Sequence, residues 1–443
     1  MSRLPVIAIF DVGKTNKKFF LFDEHYRIVY EQSTQLAETT DEDGDPCEDL
    51  QALTDWVQQT FREASAKKDF SIKAINCSAY GASFVNIDAA GYPVTPLYNY
   101  LKSYPPALSQ QFYHRYGGEL AMAVQTASPV LGSLNSGLQL YRLKNQRAQF
   151  FRRIRYSLHL PQYISYLFSQ HAVTELTSIG CHTALWDFSQ LRYHDWVEQE
   201  GMDSKFPSLA ACNATVESRT YKGLKCGGGL HDSSAALIPY LSAFTEPFVL
   251  ISTGTWCITL SPFNDTPLTT EELQRDCLCY LSYEGQPVKA SRLFAGHEHE
   301  LQVKRLAEHF QTKIDYYKSV DFDPSLVAGI TEGEDFSKTN LNSFSNYEQA
   351  YHALMYSIAE QQKKSTSLVL QEGKVKRIFV DGGFANNPLY MHLLAAAFPS
   401  CEVFAASVSQ ATAVGAALAI HPRWNTSKIP GDMVSLKYYT IQK

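Results

Sequence analysis

Two short turns in this sequence carry residue types that can hold a phosphate chain. The first lies in FDVGKTNKK, Phe10–Lys18, directly after an apolar run that predicts a strand. Gly13 lets backbone amides approach an anion closely, and successive amides near such a glycine form an anion-binding nest. Asp11, at the end of the strand, can hold a magnesium ion through water. Three further residues add donors: Thr15, Asn16 and Lys18. A plain surface hairpin would give the same pattern.

The triplet Gly13-Lys14-Thr15 also suggests a P-loop, which we weighed and set aside. That motif needs a glycine five positions before Gly13, where this chain has Ala8. It also needs a helix after the threonine, whereas Phe19–Phe22 continues as a predicted strand. We therefore interpret the segment as two antiparallel strands joined by a turn.

The second turn is ISTGTW, Ile251–Trp256, and it repeats the pattern of the first. An apolar strand again ends in a glycine turn, and a second strand follows. The predicted phosphate contacts here are Thr253, Gly254 and Thr255. Two such turns facing each other would clamp a triphosphate from both sides, so the pair indicates more than either turn alone.

A third glycine turn and a helix of small residues complete the set. Gly382 and Gly383, in FVDGGFANNPLY, follow a predicted strand and precede an apolar helix, so flat backbone there could lie against adenine or ribose. A simple strand–helix turn would explain them equally. In SQATAVGAALAI, small residues predict a helix that packs closely on a neighbour: Ala413, Gly415, Ala416 and Ala417.

Two polar motifs allow competing interpretations. Asp232, in GLHDSSAA, precedes the predicted helix Ser233–Leu241. An aspartate there can cap the helix or accept a proton from an alcohol, and residue type alone favours the cap. In Gly296-His297-Glu298-His299-Glu300, two histidines could bind a metal. They do not share a helix face and the segment is too polar for a clear strand, so a polar surface or cleft rim is favoured.

Length and charge bound the class of protein. A chain of 443 residues predicts two large domains, which the repeated turns place at 1–242 and 243–443. The net charge of −6 gives no electrostatic footprint for nucleic acid or an anionic membrane. The acidic stretch Glu38–Asp49 predicts an exposed loop.

The cysteines and the apolar runs predict a cytoplasmic protein. The nine cysteines form no CxxC pair, which favours reduced thiols packed as small hydrophobes. The apolar run at the start is followed directly by Asp11 and predicts a first strand rather than a signal peptide. No stretch approaches the roughly 18 apolar residues that a membrane span needs.

Taken in order, these motifs resemble those of the FGGY carbohydrate kinases of the actin-like ATPase superfamily. The resemblance covers nearly the whole chain, including VTELTSIGCHTALWDF, Val173–Phe188, and GLHDSSAA, Gly229–Ala236. It implies an α/β protein of two ribonuclease H-like domains, each a mixed five-stranded sheet flanked by helices. A cleft between the domains would hold ATP and a sugar.

The resemblance also implies roles for individual residues. Asp232 would be the general base, which overturns the preference for a cap, and Asp11 would serve the Mg²⁺ ion. The residues implied to contact ATP are those of both phosphate turns, together with Gly382, Gly383 and Asn387. The implied partners are a sugar and ATP, with no nucleic acid and no membrane, and a homodimer is left open.

The tryptophan of ISTGTW makes this chain most similar to the rhamnulokinase and fuculokinase branch, which implies a ketose or 6-deoxy-ketose such as L-rhamnulose or L-fuculose. Three positions depart from the family: Ser83 and Tyr100 stand where many members have aspartate, and Lys102 replaces an arginine. The implied pocket comprises Tyr80, Gly81, Ser83, Phe84, Tyr98, Gln162 and His231.

Two other functions stay open at this stage. An actin- or chaperone-like nucleotide switch would share the phosphate turns but would need no base at Asp232. A catalytically silent sugar sensor on the same scaffold would fit the departures at Ser83 and Tyr100. The presence of Asp11, Asp232 and both glycine turns favours the kinase.

Overall fold

The chain folds into two compact units. The computed structural model describes residues 3–328, 330 and 336–440. Unit 1 takes in the chain up to Ala243 together with Cys279–Pro287 and Ser409–Met433. Unit 2 takes in Phe244–Leu278, the described part of Val288–Val408, and the chain from Val434. Nothing in the sequence had indicated that two late segments join the first unit.

The strands are numbered in chain order. They are β1 Leu4–Val12, β2 Lys17–Phe22, β3 Ile28–Thr34, β4 Glu38–Thr40, β5 Pro46–Glu48, β6 Phe70–Ala79, β7 Phe84–Ile87, β8 Tyr156–His159, β9 Thr174–Glu175, β10 Trp186–Asp187, β11 Arg192–Tyr193, β12 Leu209–Ala210, β13 Thr215–Glu217, β14 Lys225–Gly227, β15 Leu230–His231, β16 Phe248–Thr253, β17 Cys257–Ser261, β18 Cys277–Leu281, β19 Pro287–Leu293, β20 Arg377–Gly382, β21 Glu402–Ser407 and β22 Ser435–Tyr439.

The helices are numbered in the same way. They are α1 Leu50–Ala66, α2 Pro106–Arg115, α3 Glu119–Thr126, α4 Ser136–Gln146, α5 Ala148–Arg153, α6 Leu160–Ser169, α7 Leu176–Ile179, α8 Asp195–Gln199, α9 Asp232–Ala243, α10 Thr270–Gln274, α11 Ala295–Phe310, α12 Tyr347–Ser367, α13 Pro388–Ala397, α14 Ala411–Ala419 and α15 His421–Trp424. None of the described helices is both long enough and apolar enough to cross a bilayer.

Unit 1 is built on a mixed sheet with strand order β13-β14-β6-β1-β2-β3, in which β15 also pairs with β6. The predicted hairpin is confirmed, because β1 runs antiparallel to β2 across the turn. Strand β6 lies parallel to β1 on its other side. Since alternate side chains of a strand point to opposite faces, β1 contributes side chains to the core on each face of the sheet. Phe10 packs with the face that α1 and α6 cover, and Ile9 packs with α9 and α14.

Unit 2 repeats this plan. Its sheet has the order β18-β19-β17-β16-β20-β21-β22. Strands β16 and β17 form the second predicted hairpin, and β20 lies parallel to β16. One face is covered by the apolar sides of α11, α12 and α13, with Val249, Leu354 and Leu394 fully buried there. The fold class is therefore confirmed: two α/β units, each with a mixed sheet and flanking helices.

Each main sheet has seven strands rather than the expected five. In unit 1 the added strands arise because β14 and β15, separated by Gly228 and Gly229, pair in turn with the same edge of β6. In unit 2, β18 and β22 extend the two edges. Short edge strands of this kind leave little apolar periodicity in the sequence, so the pattern did not predict them.

The prediction that Glu38–Asp49 is an exposed loop holds for the exposure of most of its residues but not for their conformation. The segment forms the antiparallel pair β4 and β5. Asp41 and Glu48 are buried, at 7% and 4% exposure. Their charges are neutralised by buried lysines: Lys102 bonds Asp41, and Lys17 Nζ lies 2.8 Å from Glu48 Oε1. Buried charges of this kind need a partner, and the sequence pattern did not reveal it.

The small-residue helix α14 packs against α9 at backbone distance, as predicted. A Cβ atom at Gly415 would lie 1.8 Å from the carbonyl oxygen of Ala235. Asn76 strengthens this packing by donating from Nδ2 to the carbonyl of Ala416, at 2.8 Å. The two helices can approach this closely only because residue 415 has no side chain.

We expect Gly415→Ala to destabilise unit 1 by about 1–3 kcal/mol, the usual cost of overpacking, because backbone rather than a flexible side chain occupies the space. Urea unfolding monitored by circular dichroism measures this loss. Gly431→Ala is the control, since its Cβ would have no neighbour within 4 Å. Equal stability of the two variants would contradict this account of the helix contact.

Candidate active site

The strand register in unit 1 brings the two predicted functional carboxylates to the same edge of the sheet, the edge formed by the carboxyl ends of its central strands. Strands β1 and β6 are parallel, with Asp11 opposite Ser78. Strand β15 is parallel to β6 on the other side, with His231 opposite Ala79. All three strands therefore end together. Asp232 follows directly as the first residue of α9, so Asp11 and Asp232 lie at the ends of the two strands that flank β6.

Asp11 is held by two hydroxyl groups. Ser78 Oγ donates to its Oδ1 and Thr412 Oγ1 to its Oδ2, both at 2.8 Å. Burial raises the pKa of Asp11, and the nearby charge of Asp232 adds to this rise. The hydroxyl bonds and the charge of Lys18 oppose it. The site therefore contains two carboxylates close enough to repel each other, an arrangement that a cation would stabilise.

Asp232 differs from an ordinary helix cap. Its Oδ1 accepts from the amide of the adjacent Ser233 at 2.6 Å. An N-cap side chain instead accepts from the second or third amide of the helix. About a third of the side chain, 33%, is exposed. A partly exposed carboxylate at a strand end can reach a bound ligand.

His231 lies beside Asp232 but is enclosed. Its exposure is 4%, and its Nε2 is 3.4 Å from Asp232 Oδ1. Desolvation lowers the pKa of His231, and the charge of Asp232 only partly opposes this. The imidazole is therefore kept neutral. Gly81 is required for this position, because a Cβ there would lie 2.5 Å from His231 Nε2.

Tyr80 directly follows β6 at this edge, whereas Tyr98 packs in a separate apolar cluster with Phe84. Tyr80 donates to Glu48 Oε2 at 3.3 Å, and Tyr98 donates to Glu42 Oε1 at 2.5 Å. Tyr100 lies against Tyr80, with ring centroids 6.0 Å apart. Burial raises the pKa of Tyr100, which also senses the charges of Lys14 and Asp232. Tyr100 is thus within electrostatic range of Asp232.

The remaining predicted pocket residues lie deeper. Ser83, Phe84 and Gln162 are each 1% exposed. Phe84 stacks on the ring of His159 at 4.0 Å, and Gln162 Nε2 donates to the carbonyl of Gly229 at 3.0 Å. These side chains therefore pack inside unit 1, and Gln162 bonds the loop just before β15. A role in direct contact with substrate stays a prediction for all three.

The first glycine turn is closed by its own backbone. The amide of Gly13 donates to the carbonyl of Asn16 at 3.0 Å. Thr15 and Asn16 are exposed, and Asn16 Oδ1 accepts from Gln35. Lys18 Nζ donates to Gln410 Oε1 at 3.1 Å. The turn thus presents an exposed tip on a rigid hairpin, as an anion-binding loop needs.

The turn in unit 2 is packed more tightly. Thr253 Oγ1 donates to the carbonyl of Asp381 at 2.6 Å and accepts from the amide of Phe384 at 3.0 Å. A Cβ at Gly382, whose φ is +92°, would lie 1.9 Å from the carbonyl oxygen of Thr253. The hydroxyl of Thr253 therefore ties the second and third glycine turns together. Thr255 and Gly254 stay exposed beside it.

The third turn has one open glycine. A Cβ at Gly383 would meet no atom within 4 Å, so its face is accessible. Asn387 has structural partners: it caps α13 through the amide of Tyr390, and its Nδ2 donates to Tyr351 Oη at 2.8 Å. A nucleotide contact by Asn387 stays a prediction, and either of its side-chain groups would have to exchange a partner to make it.

The GHEHE motif opens helix α11 rather than forming a metal site. His299 is buried and its Nε2 lies 3.1 Å from Tyr351 Oη, while His297 stacks on Phe294. In the described part of the chain, three acids lie close enough to hold a metal: Asp41, Asp43 and Asp45. The ammonium group of Lys102 bonds all three, and Arg142 and Arg147 also bond Asp43, so three positive charges already face the three carboxylates.

Several supporting residues escaped the sequence analysis. Ser78 and Thr412 were missed because hydroxyls on a strand and on a helix start have no distinctive spacing. Gly296 was missed as a close contact, although a Cβ there would lie 1.8 Å from the carbonyl oxygen of Gly254. Thr412 lies in the SQATAVG motif, which we had interpreted only as a packing device.

Comparison with family models identifies the class. Residues 6–222 match the N-terminal domain of the FGGY family of carbohydrate kinases. Residues 245–428 match the C-terminal domain of carbohydrate kinase FGGY. Together the two stretches cover most of the chain, so the chain belongs to this family and is a phosphotransferase that acts on sugars with ATP. No curated protein sequence matches the chain significantly.

Solved structures share the fold. A carbohydrate kinase from Novosphingobium aromaticivorans superposes with a TM-score of 0.81 at 23% identity, covering 99% of this chain and 95% of its own. A xylulose kinase from Lactobacillus acidophilus superposes with a TM-score of 0.80 at 16% identity, covering 99% of this chain and 94% of its own. A glycerol kinase from Plasmodium falciparum with ADP superposes with a TM-score of 0.74 at 15% identity, covering 95% of this chain and 91% of its own.

We expect Gly81→Ala to displace His231 from Asp232. The new Cβ would lie 2.5 Å from a ring that is enclosed on all sides, so the ring or the strand end must shift. The free energy of unfolding should fall by about 1–3 kcal/mol. Gly228→Ala is the matched control, because its Cβ would be 3.8 Å from Val173. Identical urea midpoints for the two variants would refute the contact.

We also expect stability to fall at acid pH through His159. Burial, with His231 and His182 nearby, lowers the pKa of His159 from 6.5 to about 3. Between these values the unfolded chain binds a proton that the native state does not, so stability falls as pH decreases. His159→Gln should reduce the slope by up to about 1.4 kcal/mol per pH unit. The exposed His25→Gln should leave it unchanged, and equal slopes for all three proteins would disprove the assignment.

Proposed function

We propose that this kinase phosphorylates a hydroxyl group of a ketose or 6-deoxy-ketose such as L-rhamnulose or L-fuculose. The observation that carries the catalytic part is the convergence of Asp11, Asp232 and the first glycine turn at one edge of the unit 1 sheet. This edge offers a carboxylate for proton transfer next to a loop for phosphate, as sugar phosphorylation requires.

Asp232 acts as the general base. Its carboxylate accepts the proton of the sugar hydroxyl while the hydroxyl oxygen forms a bond to the γ-phosphorus of ATP. The bond from that phosphorus to the β–γ bridging oxygen breaks, and ADP leaves. The partial exposure of Asp232 allows the contact, and the neutral His231 beside it adds no competing positive charge.

The nucleotide is held by backbone at the glycine turns. The exposed residues Thr15 and Asn16 in unit 1 and Thr255 in unit 2 supply amides and hydroxyls for the phosphates. Gly13 and Gly254, whose own amides donate within their turns, let a phosphate approach the backbone closely. Lys18 adds a positive charge near Asp11. The open face of Gly383 provides a flat backbone surface for adenosine.

A magnesium ion fits beside Asp11. The mutual repulsion of Asp11 and Asp232 favours a bound cation, and carboxylate oxygens are the ligands that magnesium prefers. Both oxygens of Asp11 already accept hydroxyl bonds, so contact through water is the fitting mode. When bound, the ion neutralises charge on the phosphates. Asp11 and its two hydroxyl partners hold the position.

The sugar-binding residues favour a weakly polar substrate. Where many family members have aspartates, this chain has the neutral Ser83 and Tyr100. The rings of Tyr80 and Tyr100 provide apolar faces at the strand ends. Such faces suit the C–H groups and terminal methyl of a deoxy-sugar better than an array of hydroxyls. The related xylulose and glycerol kinases define the competing candidates.

A coupled assay of ADP release tests the proposal. L-rhamnulose, L-fuculose, D-xylulose, L-ribulose and glycerol are compared at fixed ATP and Mg²⁺. Asp232→Asn should reduce sugar-stimulated turnover by about 100- to 10,000-fold with little change in the KM for ATP, since a positioned base contributes that much. Asp195→Asn, an exposed acid on α8, is the control.

Two outcomes would overturn the proposal. Release of ADP that is equal with and without every sugar would exclude the transfer to a sugar hydroxyl. Full activity of Asp232→Asn would exclude the assigned base. A clear preference for glycerol or D-xylulose would refute only the choice of a deoxy-ketose.

A further inference from the structure

Cys181 occupies a buried position between two histidines, one of which contacts Asp232. Its Sγ lies 3.1 Å from His182 Nδ1 and 3.3 Å from His231 Nε2. The thiol is 1% exposed. His231 Nε2 in turn lies 3.4 Å from Asp232 Oδ1. The four residues form a continuous polar chain that ends at the proposed base.

The backbone fixes the thiol in this place. Cys181 follows α7 and Gly180, where a Cβ would lie 2.4 Å from Leu281 Cγ, so the chain can pass there only as glycine. His182 has φ of +41°, in the left-handed region that non-glycine residues rarely adopt. Such strain persists only when surrounding contacts determine it. The amide of His231 also donates to Thr177 Oγ1 at 2.9 Å, which ties β15 to α7.

The contacts around His231 determine which nitrogen carries its proton. The ring is neutral, because burial lowers its pKa. Its Nε2 faces two acceptors, a carboxylate oxygen and a sulfur atom. Its Nδ1 is buried and has no hydrogen-bond partner among the described residues. A proton on Nδ1 would be unpaired and would turn the Nε2 lone pair toward the carboxylate, so Nε2–H is the favoured tautomer.

We propose that Cys181 is a positioning residue for Asp232, acting through His231. The thiol donates to His182 Nδ1 and accepts from His231 Nε2–H. This holds the imidazole so that the same N–H also reaches Asp232 Oδ1. The carboxylate then keeps one orientation, with its other oxygen directed to the substrate. The inference rests on the proposed role of Asp232 as base.

The charged and titratable groups around His231 are consistent with this arrangement. His159 and His182 lie within electrostatic range and are themselves enclosed or bonded, and Tyr280 stacks on the ring at 6.4 Å. Asp232 supplies the negative charge. The ring is thus fixed by stacking on one side and by the thiol and carboxylate at its edge.

The kinetic test compares Cys181→Ala with Cys181→Ser. The alanine variant removes the thiol contacts to His182 and His231. It should lower kcat about 10-fold with an unchanged KM for ATP, because the freed imidazole loses its hydrogen bond to the charged Asp232. The serine variant keeps a donor and an acceptor and should recover most of kcat. Cys226→Ala is the matched control, a buried thiol of unit 1 at 1% exposure. Thermal unfolding midpoints identify variants that only lose stability.

A second measurement does not depend on turnover. Two-bond ¹H–¹⁵N correlation spectra of histidine-labelled protein distinguish the two neutral tautomers, and His231→Gln assigns the signal. We expect Nε2–H at His231 in the wild type. In Cys181→Ala the same tautomer should persist, because Nδ1 stays without a partner and Nε2 still faces Asp232, but the Nε2 signals should shift because the sulfur no longer accepts. If the wild type phosphorylates no sugar, the proposed function fails, yet the spectra still decide the role of the thiol.

Either of two results would overturn the inference. One is a kcat for Cys181→Ala within twofold of Cys226→Ala. The other is a wild-type His231 that carries its proton on Nδ1, or His231 Nε2 signals that are unchanged in Cys181→Ala.

Discussion

The arrangement of the candidate active site depends on one feature: three parallel strands, β1, β6 and β15, end at the same level. Their shared register places Asp11 opposite Ser78 and His231 opposite Ala79. A shift of one residue in either pairing would turn Asp11 or His231 to the other face of the sheet. The buried alternation of β1, with Phe10 on one core and Ile9 on the other, therefore specifies the site as well as the core.

Electrostatics at this edge are governed by burial. Two carboxylates lie close together, and burial raises the pKa of Asp11, whereas Ser78, Thr412 and Lys18 compensate part of the cost. The histidines behind them are kept neutral by the same desolvation. Burial therefore leaves these histidines without positive charge beside the two carboxylates.

The predicted binding turns of unit 2 are held together by close backbone contacts at glycines. Gly382 packs against the backbone of Thr253, and Gly296 packs against the backbone of Gly254. Both contacts are too close for a side chain at the glycine. These contacts join a strand end, a helix start and a second strand end into one rigid group of turns. Rigid backbone of this kind loses little conformational freedom on binding a ligand.

Sequence by itself determined the class of this protein. The glycine turns, the strand before each turn and the order of the motifs predicted the α/β fold and the FGGY family, because turn chemistry and apolar periodicity are local properties. Tertiary structure decided what depends on distant contacts: the hydroxyls on Asp11, the buried pairing of Glu48 with Lys17, and the thiol between two histidines. Spacing along the chain carries no record of such contacts, since the residues that make them are brought together only when the strands align.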